Sequence, residues 1–289
     1  MALTIFFDNY IVDVIFKRRS PFSQKIVYAF LSLAMVLIIA IFCPIQNIGF
    51  KSALMFILAG ATYALALVPY YFSLKSENAT ASEIFQQTQP IFNLLLGLIF
   101  LGEHLNTTQL VAFVIILMAS FVVVASKNKR EKKASIKAII YTTLAVILWA
   151  VSDLFFVYGG EDCDYMTILM YVLIGRCIVD FAVTAICKKE REYCFKIAKK
   201  NGLKAWGAMI ADFIMEIGAD LLFKLTLLMG PMALIAAVEM SAELIFTFLF
   251  GVILTLLSPK FGREKLTKKN ITTHLVAIFL LIIGIILIQ

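Results

Sequence analysis

Apolar runs follow one another along nearly the whole chain, each close to the roughly 17–25 residues a helix needs to cross a bilayer. Ten can be marked out: Met1–Phe16, Ile26–Phe42, Ala53–Leu74, Ala79–Leu101, Thr108–Ala125, Ala138–Tyr158, Met166–Ile186, Ala205–Met229, Pro231–Leu257 and Thr272–Ile288. Lipid offers no partner to backbone N–H and C=O groups, so such runs are confined to helices that satisfy themselves. The expected fold is an all-α polytopic membrane protein of ten transmembrane helices. The first run is short and broken by Asp8, Asn9 and Asp13, which makes nine spans the alternative count.

Composition fits. The 289 residues are 62% hydrophobic and 16% charged, against about 45–50% and ~25% for a soluble domain. The longest polar interruption, Cys187–Lys204, is too short for a separate soluble domain. The net charge of +7 points to topology rather than nucleic acid. Of the 26 Lys and Arg, 23 fall in alternate loops on one side, Lys51 lies alone on the other, and Arg176 and Lys224 sit inside spans. The basic side is therefore expected to be cytoplasmic, with the chain multi-pass in the cytoplasmic membrane. No cleavable leader is expected, because the N-terminal run lacks a basic n-region and a small-residue cleavage site. Five Cys without CxxC spacing and two His near helix ends suggest neither a metal site nor a cofactor. No HExxH or GxSxG is present, so no enzyme is expected.

Charges sit where hydrocarbon is expected. Ala205–Met229 carries Asp212, Glu216, Asp220 and Lys224, and Pro231–Leu257 carries Glu239 and Glu243, with Gly230–Pro231 as the break between them. Residues four apart stack on one helix face, so each set forms a stripe. A charge at the bilayer centre costs at least about 2.5–3.5 kcal/mol, and these stripes are expected to face the protein interior.

The two halves repeat. Thr107-Thr108-Gln109-Leu110-Val111-Ala112 returns as Thr272-Thr273-His274-Leu275-Val276-Ala277, and Phe92–Gly97 returns as Phe246–Gly251. Five spans per unit invert the second copy, giving units over residues 1–126 and 138–289 joined by a basic linker at 127–137. Inverted repeats place substrate near the midplane between the halves. The alignment sets Gln89 opposite Glu243, Gln87 opposite Ser241 and Phe85 opposite Glu239.

The run Glu77-Asn78-Ala79-Thr80, then Gln89-Pro90-Ile91-Phe92 and Leu101-Gly102-Glu103-His104-Leu105, resembles the fourth span and following turn of EamA-type transporters of the drug/metabolite transporter superfamily. That resemblance implies two five-helix repeats, alternating access and a central substrate cavity. In the second copy Leu244 stands where Pro90 stands in the first. The family is commonly described with both termini cytoplasmic, whereas the charge split puts the C-terminus outside.

The expected activity is secondary transport of a small metabolite, with an organic cation or amine favoured. Glu239 and Glu243 are expected to pair with its charge, and Gln87, Gln89, Asn93, Trp149 and Tyr71 to supply hydrogen bonds and aromatic faces. Two carboxylates one turn apart in low dielectric do not both ionise cheaply, which suits proton coupling through Glu216, Asp212 and Asp153. Asp220 with Lys224, and Arg176 with Asp180, stand four apart and are expected either to neutralise one another or to meet substrate. The alternatives are an amino-acid exporter in which Arg176 meets the carboxylate, and a divalent-cation carrier. Expected partners are the substrate and lipid, with a monomer or homodimer as the assembly.

Overall fold

The computed structural model describes residues 4, 7, 10, 11, 15, 16, 23–75, 85–127, 136–160, 163–257 and 268–288. Among these the chain is all helix. In order come α1 (Ser23–Phe42), α2 (Phe50–Lys75), α3 (Gln89–Leu96) running into a π-turn (Gly97–Leu101), α4 (Thr107–Lys127) and α5 (Ile136–Gly159). Then follow α6 (Tyr165–Ile186), α7 (Lys188–Leu227), α8 (Met232–Leu257) and α9 (Lys268–Ile288).

Seven of the helices are long and apolar enough to cross a membrane: α1, α2, α4, α5, α6, α8 and α9. By length and composition they fit an integral multi-pass membrane protein. The segment Gln89–Leu101 is apolar but shorter. Helix α7 has 40 residues and breaks at Gly202, whose φ of 58° and ψ of −145° lie outside the helical region. Its second part carries Asp212, Glu216, Asp220 and Lys224, so its apolar character is diluted by charge. The Glu77–Thr80 motif, Asp8, Asn9 and Asp13 of the first run and the linker residues 128–135 lie outside the described residues.

Helix α2 packs along α5 and α6, α1 along α6 and α7, α4 along α9, and α3 along α8 and α5. The α2–α6 seam is unusually close. A Cβ on Gly60 would lie 1.9 Å from the Val172 carbonyl oxygen, and one on Gly175 would lie 1.9 Å from that of Ile57. Small residues let two membrane helices meet backbone to backbone, where dispersion and Cα–H contacts replace the absent hydrophobic drive. The outer faces remain apolar, with Phe42, Ile99, Ile178 and Phe279 exposed. That is the reverse of a soluble surface. The inner faces carry polar groups: Arg176, Asp180, Lys25, Lys224, Asp153 and Asn93 are each at most 2% exposed.

Candidate functional site

One layer of buried charge joins α1, α2, α5, α6 and α7. Arg176 on α6 donates from Nη2 to Glu216 on α7 at 2.8 Å. Lys25, in the first turn of α1, meets Asp180 of α6 at 2.5 Å, both side chains fully buried. Lys224 lies 2.9 Å from Asp220 and also donates to Ser152 Oγ at 3.0 Å. The ring of Tyr63 lies beneath two of these cations, 4.8 Å from the Arg176 guanidinium and 4.6 Å from Lys224 Nζ. Cation–π contact in a dry setting adds about 2 kcal/mol to what the ion pairs supply. Asp212 meets no cation in this layer. It accepts hydrogen bonds from Gln24 Nε2 at 2.7 Å and from the Tyr28 hydroxyl.

A second layer is built from amides. Asp153 on α5 accepts from Gln89 Nε2 at 3.0 Å and Asn93 Nδ2 at 3.1 Å, both on α3. One wall is aromatic: Trp149 lies 5.3 Å from Tyr70 and 6.4 Å from Tyr63 between ring centroids, and Tyr71 packs in the same cluster. Below it Ser241 of α8 bonds Ser120 of α4 at 2.7 Å and donates to the Ile116 carbonyl at 3.0 Å.

Several buried polar atoms of these layers have no hydrogen-bond partner among the described residues: Arg176 Nε and Nη1, Asp180 Oδ2, Asp212 Oδ1, Gln87 Oε1, Asn93 Oδ1 and Trp149 Nε1. Buried polar atoms are normally satisfied, and those that are not mark places for water or ligand. Glu239 Oε2 is a further such atom. It borders a cavity of about 810 Å³ between α7, α8 and α9, otherwise lined by apolar groups such as Leu222, Phe223, Leu234, Ile235 and Ile285 with the hydroxyl of Thr226. Glu243 is half-buried one turn further along α8. Among the described residues no three His, Cys, Asp or Glu side chains gather closely enough to hold a metal ion.

The arrangement expected from the sequence is corrected at three points. Arg176 does not neutralise Asp180 along its own helix; it reaches Glu216, and Asp180 is met by Lys25. Glu216, expected from the sequence to carry a coupling proton, therefore has a cation beside it. Lys25, counted among the loop cations, belongs to α1 and is buried. The physical reason is common to all three. An i,i+4 rule sees one helix, whereas a buried charge is neutralised by whichever helix packs against it. Asp220 and Lys224 do pair within their helix.

Nothing in the sequence points to Gln24 and Tyr28, and Glu103 figures there only as part of the turn motif after the fourth span. Gln24 and Tyr28 stand four apart on α1, a spacing that places both on the face meeting Asp212. Glu103 follows Gly102, whose φ of 66° is left-handed and turns the chain back over the π-turn. Both Glu103 carboxylate oxygens then accept from the Met232 N–H at 3.1 Å, at the first residue of α8. A carboxylate is favoured at a helix N-terminus because unpaired N–H groups point out there. Burial raises the Glu103 carboxyl from its usual value, and the bond to Met232 pulls the other way. The motif thus ties the end of the first half to the Gly230–Pro231 hinge of the second. The π-turn beneath it offers the Phe100 carbonyl to the Tyr158 hydroxyl at 2.5 Å.

The model of the EamA-like transporter family matches residues 9–125. A search of curated proteins finds no significant match. Among solved structures, one crystal structure is similar over 100% of this chain and 94% of its own, with a TM-score of 0.59 at 10% identity. At that identity the likeness concerns the fold alone.

Proposed function

We propose that the chain is a transporter of the EamA-like family in the drug/metabolite transporter superfamily, whose model matches residues 9–125, and that it carries a small organic cation or amine by alternating access. The observation that carries this reading is the unpartnered Glu239 Oε2 at the edge of a cavity of about 810 Å³ whose lining is otherwise almost wholly apolar. A carboxylate in low dielectric attracts a cation far more strongly than it would in water, and apolar walls suit the rest of an amine. Glu243 adds a second acid, while Gln87, Tyr71 and Trp149 shape the route between the halves. The coupling proton belongs on Asp212 and Asp153, which are held by neutral donors in the charged and amide layers. Glu216 shares the role only when Arg176 releases it.

Ten spans in two inverted units, 1–126 and 138–289 around the 127–137 linker, are part of the proposal. The packing supports them by its reciprocity. The pairs α1–α6, α3–α8 and α4–α9 join equivalent helices of the two units, and the α2–α6 contact is answered by α7–α1. The α2–α5 contact is answered by the N-terminal segment, where Ile11 and Ile15 share a cluster with Ala205 and Met209 of α7.

A second reading rests on Arg176, whose Nε and Nη1 lack partners and suit a substrate carboxylate. One experiment separates the two. In proteoliposomes with an imposed pH gradient, Glu239→Gln is expected to cut uptake of a monovalent amine at least about tenfold, equivalent to ~1.4 kcal/mol, while the protein stays folded. Unchanged amine uptake in that variant sinks the cation reading. An amino acid whose uptake fails only in Arg176→Ala supports the zwitterion reading.

A further inference from the structure

Between α6 and the charged part of α7 lies a helix of its own, residues 188–201, set off by two backbone breaks. Cys187 leaves the helical region at φ −92° and ψ 65°, and Gly202 does so at φ 58° and ψ −145°. The two breaks set this helix of about 21 Å apart from the helical segments on either side. One face is anchored. Cys194 is fully buried, and Tyr193 and Ile197 pack with it against Ile11, Ile15, Phe16 and Met209. The Tyr193 hydroxyl donates to the Phe16 carbonyl at 3.3 Å, and Arg191 donates back to the Thr184 carbonyl at 3.2 Å.

The opposite face is another matter. Lys188, Lys189, Lys196, Lys199 and Lys200 are all exposed. At ~100° per residue they occupy one arc of about 120°, shared with the exposed Glu192. Phe195, 49% exposed, borders the arc beside Lys188 and Lys199, and Leu203, 88% exposed, follows the Gly202 break. No described acidic side chain forms an ion pair with the lysine arc. A lysine arc edged by exposed apolar side chains, on a short helix between two segments of a membrane helix bundle, is the pattern of a helix at a lipid interface.

We infer that helix 188–201 is an interfacial docking surface for anionic phospholipid headgroups on the basic side of the membrane. Phe195 and Leu203 enter the acyl boundary, Lys188 and Lys199 meet phosphates beside them, and the remaining lysines add field without specific contacts. Because the buried face is shared with the N-terminal segment and the start of the charged part of α7, lipid bound there steadies the end of the helix that carries Asp212 and Glu216. This inference does not depend on the substrate.

The test uses the full chain in neutral detergent. Adding phosphatidylglycerol is expected to raise the thermal unfolding midpoint, adding phosphatidylcholine is not, and the difference is expected to vanish near 0.5 M salt, where screening is short-ranged. The triple variant Lys188→Gln, Lys196→Gln, Lys199→Gln is expected to lose at least half of the phosphatidylglycerol-specific rise, and the matching Lys→Arg triple to keep it. Equal responses to the two lipids, or an undiminished response in the Gln triple, overturn the inference. So does loss in both triples alike, since that reports packing rather than charge.

Discussion

Two layers of the same bundle treat buried carboxylates in opposite ways. Around Arg176 each of Asp180, Glu216 and Asp220 has a cation within 2.9 Å, drawn from three different helices. Around Asp153 the carboxylate rests on the amides of Gln89 and Asn93, and Glu239 has an oxygen with no partner among the described residues. A paired buried charge is expensive to disturb and contributes little net stability, so it serves to lock helices in one arrangement. A carboxylate held by neutral donors is less committed, and a proton or a bound cation can change its state without breaking an ion pair. Apart from Asp212, which neutral donors hold within it, the first layer is the frame, and the second is the part able to respond.

The comparison is broken most directly at Lys25. Lys25→Met leaves Asp180 buried without its cation and is expected to cost about 3–5 kcal/mol of stability in detergent unfolding. Asp153→Asn, which keeps an oxygen acceptor for Gln89 and Asn93, is expected to cost only about 1 kcal/mol in the same measurement. Similar losses would erase the distinction between the layers. Next in size is the seam that presents Arg176. Gly175→Ala puts a Cβ against the Ile57 carbonyl, so α6 must shift from α2 at a cost of about 1–3 kcal/mol. Fluorescence or crosslinking between α2 and α6 reads that displacement, and no change in either stability or spacing counts against the close crossing.

The smallest effect is expected at Asp164, the cap of α6 outside the membrane. Its carboxylate accepts from the Thr167 hydroxyl and from the Met166 and Thr167 backbone N–H groups. The Thr167 hydroxyl above all holds its carboxyl below the usual range, opposed by desolvation and helped by the backbone bonds. A carboxyl whose folded value is depressed adds stability above its unfolded pKa, and that stability is lost as pH falls through the folded one. The gap in melting temperature between the native chain and Asp164→Ala is therefore expected at neutral pH and to close in acid. A gap that persists in acid would show that the cap works through shape rather than charge.

The bundle of apolar helices was legible in the sequence because span length and lipid solvation leave a chain few choices. The acids of the α7–α8 hairpin stand out for the same reason, since charge in hydrocarbon is conspicuous. The Glu103 cap was only half legible, because the Gly-Glu turn announces itself while its target, Met232, lies 129 residues away.

Sequence alone thus determined that this is a membrane helix bundle with charge in its interior, and which residues other than Lys25 carry that charge. Only the tertiary structure decided how the charges are divided: Glu216 to Arg176, Asp180 to Lys25, Asp212 and Asp153 to neutral donors. Helical periodicity fixes the face on which a side chain stands, but the helix that comes to meet that face is chosen by packing. In a low dielectric that partner decides whether a carboxylate is a fixed strut or a group free to bind.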